Sequence, residues 1–283
     1  MVIPGIILVF VCMVVGYTMA HGNLMALVQP AEFVTIFGMA LGAMVISAPM
    51  TILKRCVSCM TGSLKGSHFN EKAFEELLVT LFRLFALARK SGMLALETHI
   101  AEPLKSDIIS KYHSLSHNKT ALDLMTETLR MVVDGSAQSE EIDALMESSI
   151  ETYETESHMP LSVLQKVGDG LPGIGIVGAV LGIIITMGHI DGRPEEVGQH
   201  VASALVGTFL GVFLAYGLLN PIISAVQQQE AEEVRYLQVM KTAIASYATG
   251  ASPSVAVEFA RRAIFSFARP SATTIEKACK GGG

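Results

Sequence analysis

Two stretches of this chain, residues 171–190 and 201–223, contain no Asp, Glu, Lys or Arg. At about 1.5 Å rise per residue, each is long enough to cross the ~30 Å hydrocarbon layer of a bilayer as a helix. The other scarcities narrow the reading further. Tryptophan is absent and cysteine occurs four times, which leaves no basis for a disulfide framework. Cys56 and Cys59 make one C-x-x-C pair, but no second pair with zinc-ligand spacing follows it. Basic residues are outnumbered, 20 Lys and Arg against 26 Asp and Glu, so the electrostatic footprint of a nucleic-acid-binding protein is missing. Phosphate-binding loops, H-E-x-x-H and G-x-S-x-G are all lacking. The letters G-x-G-x-x-G at Gly173, Gly175 and Gly178 fall inside an apolar span and not after a strand, which removes their meaning as a dinucleotide loop. The chain reads as no enzyme, and no metal or organic cofactor is expected.

What is present is apolar mass with a wet remainder. Hydrophobic residues make up 51% and the mean hydropathy is +0.48, yet 16% of residues are charged and must meet water. Membrane spans joined to a soluble part satisfy both figures. Residues 1–20 are apolar with Pro4 in the first turn; lacking the basic start and small-residue cleavage site of a signal peptide, they read as a first span. A polar break at 21–29 leads to a second span, 30–50, where Glu32 lies in the first turn and suits the helix dipole. The third and fourth spans, 167–190 and 201–223, are separated only by 191–200. The four spans therefore pair as two hairpins. Gly175, Gly178, Ala179 and Gly182 on the third, and Ala204, Gly207, Gly211 and Ala215 on the fourth, recur at helical spacing. Lipid tails are as apolar as leucine, so such small-residue faces mark close helix contact.

Of the 20 Lys and Arg, only Arg193 falls in the two short connections. The positive-inside rule then places both termini, and the segment 51–166, on the cytoplasmic side. That segment is patterned for helices. Asn70 precedes an acidic first turn and the stripe Phe74, Leu77, Leu78, Leu81, Phe85 and Ala88; a second helix covers about 121–133 and stops at Gly135; a third starts near Ser139 and runs toward the third span. After the fourth span, residues 224–283 carry the stripe Val234, Leu237, Met240 and Ile244, then a last helix from Ser252-Pro253 through Phe267. The fold class is an all-α membrane protein: four transmembrane helices in two hairpins with a helical cytoplasmic domain. No mid-span position holds an acid or a base, which a self-sufficient ion carrier is expected to have. A partner helix has to bring that acid.

The ordered segments ARKSGMLALE (88–97), VGDGLPGIGIVG (167–178), VGTFLG (206–211) and VEFARR (257–262) resemble those of the MotA family of flagellar motor stator subunits. The resemblance spans nearly the whole chain. It implies a multi-pass inner-membrane protein that forms a ring, understood as five copies, around a peptidoglycan-anchored MotB-type partner that supplies the ion-binding aspartate. It carries electrostatic contact with the rotor protein FliG onto Arg89 and Glu97, and coupling of ion flow to movement onto Pro172 and Pro221. By their own context these four read more plainly, as solvated charges and ordinary helix kinks. Related ExbB and TolQ chains also pass ions around partner helices, but typically with three spans. A plain channel or transporter would show a polar or charged mid-membrane residue, and here only Thr186, Thr208 and Asn220 qualify. In sodium-driven relatives of the PomA type, the position of Ala179 is a threonine. With a methyl there, and Thr208 as the one remaining hydroxyl on the ion path, protons rather than sodium are expected as the coupling ion. The alternative for Thr208 is a hydroxyl bonded to its own helix carbonyl four residues back.

Overall fold

In the computed structural model of the chain, residues 2–64, 66 and 69–280 are described. Met1 of the expected first span, Lys65, Ser67 and His68 of the expected cytoplasmic segment, and the 281–283 tail lie outside them. All regular structure among the described residues is helical: α1 Val2–Met19, α2 Pro30–Ser47, α3 Met50–Ser63, α4 Glu71–Ser91, α5 Glu97–Ala101, α6 His113–Ser116, α7 Lys119–Asp134, α8 Ser139–Met187, α9 Pro194–Val212, a π-helical segment Phe213–Leu219, α10 Asn220–Ala248, α11 Pro253–Ala263 and α12 Ala272–Lys280. Four helical stretches, beginning at Val2, Leu24, Ser139 and Pro194, are long and apolar enough to cross a membrane.

The chain divides into two compact units, residues 1–66 with 157–228, and 67–156 with 229–283. The first holds the apolar runs. Its helix α1 has no buried residue among those described, and Ile3, Ile7, Leu8 and Val11 are exposed, as suits a surface solvated by lipid. Helix α2 buries only Glu32, Ile36 and Ala40, one face at i, i+4 and i+8. Ile36 and Ala40 pack with Leu171, Leu210 and Ala215. A second cluster joins Cys56 of α3 to Leu161, Leu164 and Ile223, and the Cys56 thiol donates to the Pro160 carbonyl at 3.5 Å. The cysteines form no disulfide. Ala48-Pro49 ends α2, because the residue before a proline is pushed out of the helical region, and the chain restarts as α3.

The second unit is a water-type helical domain with one large core. Asn70 caps α4, its side chain accepting from the Ala73 N–H at 3.0 Å. Asn118 caps α7 in the same way through Ala121. The expected stripe of α4 is buried, Phe74 through Ala88, and meets Tyr236, Leu237, Met240 and Ile244 of α10. Gly135 ends α7 with φ +59°, a left-handed conformation that only glycine adopts without strain. The last part departs from the sequence expectation. Helix α11 stops at Ala263, and a short turn at Ser266–Ala268 precedes α12. Arg269 donates to the carbonyls of Ile264 and Arg262 and so holds the chain away from helix there.

Candidate ion path

The expected close contact between the third and fourth spans is present, and its geometry is tight. A Cβ added at Gly211 would lie 2.6 Å from the Leu171 carbonyl oxygen; at Gly175, 2.7 Å from the Gly207 carbonyl oxygen; at Gly182, 2.7 Å from the Ala204 methyl. Backbone touches backbone from Leu171 and Gly211 up to Gly182 and Ala204, and any larger side chain there would force the helices apart. Gly173, by contrast, has nothing within 4 Å of the same position.

The segments that carry the two prolines touch through Gly168 and Asn220. Pro172 lies inside α8 and, lacking an N–H, leaves the carbonyl of Gly168 without its helical donor. A Cβ at Gly168 would collide with the amide oxygen of Asn220, the residue before Pro221. That Asn220 oxygen is buried with no hydrogen-bond partner. Pro221 does more than bend an ordinary helix: the π-helical segment Phe213–Leu219 precedes it, and the Asn220 N–H reaches back five residues to the Ala215 carbonyl. A wider turn accommodates the clash that proline makes with the carbonyl four residues back. Sequence reasoning found both prolines but neither Asn220's contact nor the π turn.

Ala179 is buried, its backbone N 3.2 Å from a Cβ built at Gly207. The Cα of Thr208 is 3.3 Å from one built at Gly175. Helices α8 and α9 therefore bring Ala179 and Thr208 to the same level. Thr186 bonds the carbonyl of Gly182 at 2.8 Å, as a membrane threonine ordinarily does. Thr208 is half-buried, and no such bond of its hydroxyl is seen among the described residues.

Glu32 corrects the expectation that the spans hold no acid of their own. It does lie in the first turn of α2, but it is 7% exposed, and Oε2 has no hydrogen-bond partner. A Cβ at Gly207 would meet that oxygen at 2.5 Å and one at Gly178 at 2.6 Å. The start of α2 packs against Gly178 of α8 and Gly207 of α9, so a residue in the first turn of one helix is buried against two others. The signal was the spacing Glu32, Ile36, Ala40, which aligns the acid with the buried face of its helix.

Arg89 and Glu97 belong to the second unit. Arg89 is exposed in the last turn of α4, Glu97 is exposed at the start of α5, and Gly92 at φ +87° makes the turn between them. Neither is held in an ion pair among the described residues. Arg89 sits near Tyr247, whose hydroxyl is pushed up by burial while that guanidinium pulls it back. Two other charged groups in the unit are held by internal ion pairs. Glu258 is gripped by Arg261 at 2.7 Å and by Arg262 at 2.7 Å, which together hold its carboxyl at about 2 although burial opposes them. Lys241 is opposed by burial but bridged by Glu147 and Asp143, and ends above its ordinary range.

Residues 3–92 match the family model described as Motility protein A N-terminal, and residues 116–239 that of the MotA/TolQ/ExbB proton channel family. Motility protein A of Salmonella typhimurium is 37% identical over 262 residues, covering 93% of this chain and 89% of its own. The flagellar MotAB stator complex of Bacillus subtilis contains a chain similar in structure, with a TM-score of 0.75 and 28% identity, covering 90% of this chain and 92% of that one. A chain of MotAB from C. jejuni shares the fold at a TM-score of 0.81 and 24% identity, with 96% and 98% covered.

Proposed function

Because the chain belongs to the Motility protein A family and is a stator subunit of the flagellar motor, we propose that it couples inward proton flow to rotation. It works in a complex with a MotB-type partner. The finer reading places the chain in the inner membrane as two hairpins of spans, with both termini and the 67–156 and 229–283 unit cytoplasmic. Five copies ring the partner, whose aspartate takes the ion opposite Thr208. Ion passage then changes the packing of α8 against α9, and the junction of Pro172, Gly168, Asn220 and Pro221 transmits that change, while Arg89 and Glu97 push on FliG.

The observation that carries proton drive is the pair at the glycine contact: a buried methyl at Ala179 and one half-buried hydroxyl at Thr208. A dehydrated sodium ion needs several oxygens, whereas a proton needs one carboxylate. The test is to follow rotation while sodium is replaced by potassium at fixed pH. Undiminished rotation is expected; arrest that sodium alone restores would sink proton drive.

A further inference from the structure

We propose that Glu32 is a second proton-binding group on the ion path, built into this chain's own spans and distinct from the acid the partner brings. This rests on the proton-driven reading above. Gly178 lies nine residues from the end of α8 at Met187, and Gly207 lies 13 residues into α9 from Pro194. At about 1.5 Å per residue, the Glu32 carboxyl they cradle sits roughly 14–20 Å along the helices from those ends. An acid buried there is costly and is retained where it faces a partner or a water-filled path. Here Oε2 has no protein partner, and the cradle exists only because residues 178 and 207 are glycine: a methyl at either would occupy the carboxyl's place. The residues next to the two glycines are Ala179 and Thr208, so the carboxyl abuts the contact already assigned to the path.

The environment isolates this acid. Residues 171–187 of α8, residues 201–212 of α9, the rest of α2 and the turn Leu24–Leu27 hold no other Asp, Glu, Lys, Arg or His. Outward along the two helices come His189 and His200, whose rings stack at 5.3 Å, then Glu195 and Glu196 in the first turn of α9; the connection before α2 adds His21. From the outer side, the Glu32 carboxylate takes up one proton, forming an O–H bond and becoming neutral. It gives that proton to the partner's carboxylate and returns to the anion, so one proton moves inward and nothing else changes. A proton held here keeps the partner's acid supplied when external protons are scarce.

The experiment compares proton flux in sodium-free vesicles holding the full stator complex, across external pH, for wild type, Glu32→Gln and Glu32→Asp. Gln has the size of Glu but cannot take up a proton. The expected result is a flux lowered by E32Q at every pH, with a deficit that widens several-fold as the medium becomes alkaline, while E32D keeps the shape of the wild-type profile. A profile for E32Q parallel to wild type, whether lowered or not, overturns the proposal and reduces Glu32 to packing. If E32Q fails to co-purify with the partner, E32D decides, because its shorter carboxylate must shift the midpoint of the profile; an unshifted midpoint overturns the proposal. Absent flux in the wild type, restored by sodium, would instead refute proton drive itself.

Discussion

The two units are held together by different physics, and they tolerate different changes. In the 67–156 and 229–283 unit, large side chains such as Phe74, Phe85 and Tyr236 are withdrawn from water, and each buried Leu or Phe contributes about 1.5–3 kcal/mol by leaving it. In the 1–66 and 157–228 unit the surroundings are as apolar as the side chains, so burial gains little, and fit between backbones takes over. The smallest residues do there what the largest do in the other unit. Paired charges such as Glu258 and Lys241 belong to the first of these units, while both units keep buried polar atoms without partners among the described residues, Tyr236 Oη in one and Glu32 Oε2 and Asn220 Oδ1 in the other.

Truncation and enlargement should therefore have opposite consequences in the two units. The largest expected effect is Phe85→Ala, which removes a ring stacked at 4.2 Å on Tyr247 and should cost ~3–5 kcal/mol, measured as loss of thermal stability in detergent. Gly211→Ala adds one methyl where 2.6 Å separates it from a backbone oxygen, and should cost ~1–3 kcal/mol together with motility. Its control is Gly173→Ala, a similar change into open space that should leave stability level or raise it; if both glycines tolerate alanine alike, steric fit does not hold this unit.

Smaller still is the contribution of Glu258. Its carboxyl is depressed from the ordinary 4.5 to about 2, so its stabilisation is present above the unfolded value and is lost as pH falls from about 4.5 toward 2. Glu258→Gln should lower stability at neutral pH, modestly because the group is part-exposed, and the gap to wild type should close on acidification. A gap independent of pH would show that charge is not the cause. Least of all should reversal of Arg89 or Glu97 affect folding, since exposed charges contribute little, yet each reversal should slow swimming. Normal swimming by both single reversals, under load that slows the wild type, would leave the rotor contact without support.

The apolar spans, the helical stripes and the caps at Asn70 and Asn118 were legible in the sequence because each is a local pattern of a few residues. The small faces of α8 and α9 were legible too, since close approach leaves its mark at every fourth position. The break between α11 and α12 was not, because Arg269 makes it through carbonyls five and seven residues back, and no propensity encodes that. The π turn before Pro221 was hidden for a related reason: a proline announces a disturbed helix but not which wider turn absorbs it.

By itself the sequence determined that this is a four-span helical chain with a charged helical part, and its motif order named the family. Charge, hydropathy and spacing are properties of the chain that hold whatever it packs against. Burial is not. Glu32 reads as a helix-start acid from its neighbours in sequence, and only the docking of α2 against Gly178 and Gly207 decides that its carboxyl is buried against α8 and α9. The level of Thr208 against Gly175 was likewise decided by how α8 and α9 meet, because a neighbour on another helix is chosen in space and not along the chain.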